Sequence, residues 1–140
     1  MYDALKIDFN AEHRLAICRP VGILRADHAS QLLNFLLAFE DSNPEPFNRL
    51  LDLSLVSEVR LTSWMIYEYA WARREATAHL PTFRTAIIAP DPSAEEVALI
   101  YATLMESSKI QVGVFRDATS VAKWLGVPEK VVQSERVHHE

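Results

Sequence analysis

Four hydroxyl groups, Ser54, Ser57, Thr62 and Ser63, fall between an apolar run that ends at Asp52 and an aromatic segment that opens at Trp64. A hydroxyl where a strand gives way to a helix has two chemical uses. It can cap the helix by accepting a first-turn N–H, a role worth about 0.5–2 kcal/mol. Alternatively it can carry a phosphoryl group, whose charge is favoured at a helix N-terminus and changes the surface that a partner meets. Thr62 and Ser63 stand next to Trp64 and are the candidates for both uses. Capping is the expected one.

Other reactive side chains are scattered. His13, His28, His79, His138 and His139 include no pair four residues apart beside a carboxylate, the helical arrangement by which zinc hydrolases hold their metal. His28 follows Asp27 at the start of an expected helix, where both belong to the helix cap. Cys18 is the single cysteine, so no internal disulfide can form. Between Ile17 and Arg19 it reads as a small buried hydrophobe. Glu95 and Glu96 are adjacent carboxylates in the first turn of an expected helix, where they complement the dipole. There is no G-x-S-x-G elbow, G-x-G-x-x-G fingerprint or P-loop, and only Gly22, Gly113 and Gly126 are present. A protein that is not an enzyme, without metal or cofactor, is expected.

The segment after the hydroxyls has a more distinctive pattern. With about 100° between successive residues, Met65, Ile66, Tyr69, Ala72, Ala76 and Leu80 share the face expected against a sheet. Trp64, Tyr67, Trp71 and Ala78 make a second apolar stripe, bordered by Glu68, Arg74 and Glu75. One covered face suffices for a helix on a sheet, so something else must meet the second. A neighbouring helix, a second copy, a protein partner or an apolar ligand would each do. Trp and Tyr flanked by Arg are common interface anchors. Trp64, Tyr67, Trp71 and Arg74 are therefore the candidate interaction or ligand surface.

The elements that would position these groups follow from periodicity. Leu5, Ile7 and Phe9 alternate with polar residues, as in a half-buried strand. A turn at residues 10–13 leads to a partner strand over 14–19, which Pro20 and Gly22 interrupt, suggesting an edge strand or a bulge. Asp27 is the expected N-cap of a helix carrying Ala29, Leu32, Leu33, Leu36 and Phe39. Strands follow at Phe47–Leu53, Thr85–Ala89 and Gln111–Phe115, and further helices over 64–80, 93–105 and 117–126. Ser93 and Glu96 have capping-box spacing. The order is ββαβαβαβα, an α/β fold with a mostly parallel sheet and an N-terminal antiparallel hairpin. Residues 1–128 read as one domain. Residues 129–140 read as a frayed polar tail.

Three stretches, in order along the chain, resemble the STAS domains of anti-sigma-factor antagonists and especially their SpoIIAA-like branch. They are "RPVGILRADHASQLL", "LLDLSLVSEV" and "VGVFRDATSVAKWLG". The resemblance covers residues 5–126 and implies the STAS fold. In antagonists of this family a "D-S-S-G" turn carrying a phosphorylated serine follows the "DLS-x-V" strand end. Here that turn falls on Arg60-Leu61-Thr62-Ser63, which keeps hydroxyls but has lost the turn's own residues. The resemblance also implies a likeness to the lipid-binding CRAL-TRIO domains.

Bulk properties narrow the function classes. The 140 residues are 49% hydrophobic and 24% charged, a globular composition. Net charge is −5 and evenly spread, without the basic stripe that phosphate backbones or anionic lipids require, so neither nucleic acid nor membrane insertion is expected. The opening MYDALKIDFN lacks a basic and apolar leader, and the lone cysteine suits a reducing compartment, so a cytoplasmic protein is expected. Together these features point to a non-catalytic binding or regulatory module acting on an unknown protein partner or on itself. A carrier of a small apolar ligand is the second reading, and a phospho-regulated antagonist the third.

Overall fold

The computed structural model describes residues 5–43 and 45–138. A five-stranded sheet forms the centre. β1 (Ile7–Asn10) pairs antiparallel with β2 (Leu15–Cys18), and β2 then lies parallel to β4 (Asn48–Asp52), β4 to β6 (Phe83–Ile88) and β6 to β7 (Ile110–Phe115). The spatial order is β1-β2-β4-β6-β7. The expected α/β class, parallel sheet and N-terminal hairpin are all present.

Two short strands were not legible beforehand. β3 (Gly22–Leu24) and β5 (Val56–Val59) pair in parallel as a separate small sheet, with a register shift between Gly22 and Ile23. Gly22 takes φ +87°, a conformation open to glycine, as the chain leaves β2 for this second sheet. The interruption at Pro20 therefore does not mark an edge strand. β2 lies inside the main sheet, between β1 and β4.

Helices α1 (Ala26–Ser42), α2 (Ser63–Thr77) and α3 (Pro92–Leu104) cover one sheet face. The other face packs Leu15, Ile17, Leu50, Ala86 and Ile88 against α4 (Ala118–Leu125) and α5 (Glu129–His138). α5 replaces the frayed tail expected from residue 129. Val131 and Val132 are buried in that cluster, and the Arg19 guanidinium donates to the Val132 carbonyl. Pro128 does not merely stop α4 after the left-handed Gly126 cap. It also leads into α5, since proline is well tolerated at the start of a helix.

Helix starts also differ in detail from expectation. Arg25, not Asp27, is the N-cap residue of α1, and Asp27 sits in the first turn. His28 Nδ1 accepts the Arg25 N–H at 3.0 Å, closing that end. In α3 the cap is Asp91, whose carboxylate accepts the Ala94 N–H at 2.9 Å, and Pro92 occupies the first turn. Ser93 donates to Asp91 rather than capping the helix with Glu96. A carboxylate is the stronger acceptor, and the proline needs no N–H partner at that position. No helix among the described residues is long and apolar enough to cross a membrane.

Candidate functional site

The hydroxyl-rich stretch resolves into structural roles. Thr62 Oγ1 accepts the Met65 N–H at 3.1 Å and caps α2. Ser63 is exposed as the first residue of that helix. Ser54 donates to Asp52 at 2.7 Å and returns its backbone N–H to the same oxygen, tightening the end of β4. Asp52 in turn faces Arg19 at 3.6 Å, both buried.

α2 presents its faces differently from the periodicity reading. Its buried residues are Ile66, Ala70, Arg73 and Thr77, whereas Met65 is exposed. The second stripe has no cover among the described residues. Trp64, Tyr67 and Trp71 are 64%, 45% and 56% exposed, and the Trp64 and Tyr67 rings stack at 5.4 Å. Arg74 is not part of that free surface. It donates to the Leu104 and Glu106 carbonyls at 3.1 and 2.9 Å, tying α2 to the end of α3, where a cation suits the helix dipole.

Beneath α1 and α2 lies the feature the sequence did not reveal. A partly open cavity of about 140 Å³ separates these helices and α3 from the sheet. Ala29, Leu32, Phe35 and Leu36 of α1 face it, opposite Ala16 of β2 and Ile87 of β6. Leu36 is the only buried apolar side chain of α1, which stands over the cavity. Cys18 also lines it. Burial pushes this thiol up to about 12, against a smaller opposing pull from Arg19, so it is protonated and unreactive near neutrality.

The cavity wall is mostly apolar, with His28 and Thr85 among its lining residues and an ionic cluster beside it. Arg49 of β4 and Arg73 of α2 meet around the Glu40 carboxylate of α1, all three buried. Arg73 makes a two-pronged contact with Glu40 at 3.0 and 2.5 Å, and Arg49 adds a third bond at 2.9 Å. The Arg49 guanidinium also lies 4.5 Å over the Phe83 ring, 5.6 Å from that of Phe39, and donates to the Phe47 carbonyl at 3.1 Å. Burial alone would push the Glu40 carboxyl up, but Arg73, joined by Arg49, holds it below its ordinary value. Tyr69 and Tyr101 complete this end, their rings 5.6 Å apart. Burial pushes both phenols up, Tyr101 to about 12 against the pull of Arg73, so both hydroxyls stay protonated.

The positions carried a signal that periodicity alone overlooks. Glu40 continues the Leu32–Leu36 stripe of α1 by one turn, and Arg73 continues Ile66 and Ala70 on α2. Arg49 occupies a covered position in a strand otherwise read as apolar. Charged residues of opposite sign, in apolar phase on three elements, mark a buried ionic cluster. No set of three or more His, Cys, Asp or Glu side chains among the described residues is placed to hold a metal.

No family model matches the sequence, and no curated protein matches it significantly. Among solved structures, the chain is similar to an uncharacterised protein of the DUF3478 family from Shewanella loihica PV-4, described as having a SpoIIAA-like fold. The two share 18% identity over 87% of this chain and 92% of that one, with a TM-score of 0.55. The parallel sheet with its N-terminal hairpin, the alternating helices and this structural correspondence agree: the chain has a SpoIIAA-like fold.

Proposed function

We propose that the protein is a non-catalytic binding module whose ligand is a small, largely apolar molecule held between α1, α2 and the sheet. The cavity carries this reading. Protein interiors are close-packed, with few voids larger than a water molecule. A gap of 140 Å³ in a core corresponds to about 3 kcal/mol of forgone packing at the slope seen for engineered cavities. It is also close to the roughly 150 Å³ of an engineered apolar cavity that takes up benzene. Retaining such a space in a domain of this size fits a binding role.

Hexan-1-ol is a suitable first probe. It should bind saturably to the full-length protein in calorimetry and raise its melting temperature as its concentration exceeds the dissociation constant. Ala29→Phe, which places a ring on the cavity wall, should abolish both effects. Undiminished binding by that variant would remove the cavity from consideration.

The exposed aromatic stripe supports a second reading, association with another protein or a second copy through Trp64, Tyr67 and Trp71. Trp71→Glu distinguishes an interface from a core face. Because Trp71 is 56% exposed, the variant should stay folded, with stability within about 0.5 kcal/mol of the parent. If the stripe joins two copies, native mass spectrometry should show a multimer for the parent and one chain for the variant. Identical masses for the two would rule out self-association through this surface.

A further inference from the structure

We propose that the ligand of this cavity is a carboxylic acid, its carboxylate seated on Arg49 at the Arg73 end and its short apolar tail along the wall formed by α1 and the sheet. The inference rests on the cavity-binding reading and adds the chemistry of the head group.

Arg49 and Arg73 bring two positive charges to a buried site, and Glu40 returns one negative charge. The two tyrosines remain neutral. One positive charge is therefore left over in a place where isolated charges are costly. Arg49 and Arg73 both line the cavity, whereas Glu40 does not. The uncompensated charge thus borders the space a ligand would enter.

Hydrogen bonding points the same way. Arg49 is 5% exposed, and its Nη1 and Nε are engaged by Glu40 and the Phe47 carbonyl. Its Nη2 has no hydrogen-bond acceptor among the described residues. Buried donors are normally satisfied, and one on a side chain that lines a cavity can be met by an acceptor entering there. A carboxylate supplies both the acceptor and the missing negative charge, and guanidinium matches its planar geometry. Tyr69 and Tyr101 also line the cavity, and their hydroxyls are protonated. An alcohol would provide an acceptor but not the charge, and a hydrocarbon neither.

Hexanoate and hexan-1-ol have the same chain length and differ at the head group. Calorimetric titration of the full-length protein at neutral pH should show hexanoate binding at least about tenfold tighter, the least expected from a charge-assisted hydrogen bond. Arg49→Met should bring the two dissociation constants to within about threefold, while Glu40 keeps its two bonds from Arg73. Comparable affinities in the wild-type protein overturn the carboxylate assignment and leave the apolar-cavity reading standing. A hexanoate preference that survives in folded Arg49→Met overturns the role of Arg49. Binding of neither probe overturns both. The wild-type ratio decides the matter even if the variant does not fold.

Discussion

Glu40→Gln should lower the unfolding free energy by about 3–5 kcal/mol, measured as a drop in the urea midpoint at unchanged slope. The carboxylate accepts three hydrogen bonds from two buried guanidinium groups. A glutamine keeps one oxygen and turns an NH₂ group toward cations, so two buried charges lose their counter-charge. A loss below about 1 kcal/mol would mean that the cluster relaxes into water and is not a desolvated site. Acid has a related effect on the parent. The Glu40 carboxyl is held below its ordinary value of 4.5, so its contribution is complete above that pH and fades as pH falls through the lower folded value. The parent should lose stability progressively in that acid range. Glu40→Gln should lack that share of the loss.

The cost of removing one partner differs from the net worth of the cluster. Buried ionic triads can often be replaced by apolar residues of similar volume without loss, or with a gain. A cluster with one cation in excess, on the wall of a cavity, is thus poorly explained as a device for stability. It is better understood through what it presents to that cavity. In the proposed reading, fold and function meet at this point, where α1, α2 and β4 each contribute one charged residue from an otherwise apolar position.

The legibility of these features depended on how local their signal is. β1, the parallel strands and α1 to α4 were readable because apolar residues recur at strand or helix spacing within each segment, and Asp117 and Gly126 bound α4 as expected. β3 and β5 have only three and four residues, and each becomes a strand through pairing with the other, a contact distant in sequence. Arg73 and Thr77 fall outside the apolar face that periodicity gives α2, because a charged or polar residue carries no apolar signal. In fact Glu40 pairs with Arg73 from another helix, and Thr77 returns its hydroxyl to the Arg73 carbonyl at 2.7 Å. A cavity has no sequence signature at all. It is defined by where side chains stop, and that depends on how high α1 sits over the strands.

Val132→Asp should cost at least about 3 kcal/mol, by placing a carboxylate among apolar side chains. Val132 is fully buried with Leu15, Val121 and Leu125, on the sheet face opposite the cavity. α5 was unreadable because Val131 and Val132 are adjacent, not three or four residues apart, and polar residues surround them. Adjacency is still enough. The pair closes the end of a cluster that α4 covers only in part, and the Arg19 guanidinium fixes the helix by bonding the Val132 carbonyl. A milder test avoids introducing charge. Val132→Ala removes two carbon atoms and should cost about 1–3 kcal/mol, through lost burial and the gap left behind. A frayed tail would register neither change beyond about 0.5 kcal/mol, as for ordinary surface positions. Thermal and urea unfolding of both variants therefore measure whether the last helix belongs to the core. Since α5 packs on the face away from the cavity, folded Val132→Ala should retain the hexan-1-ol affinity of the parent.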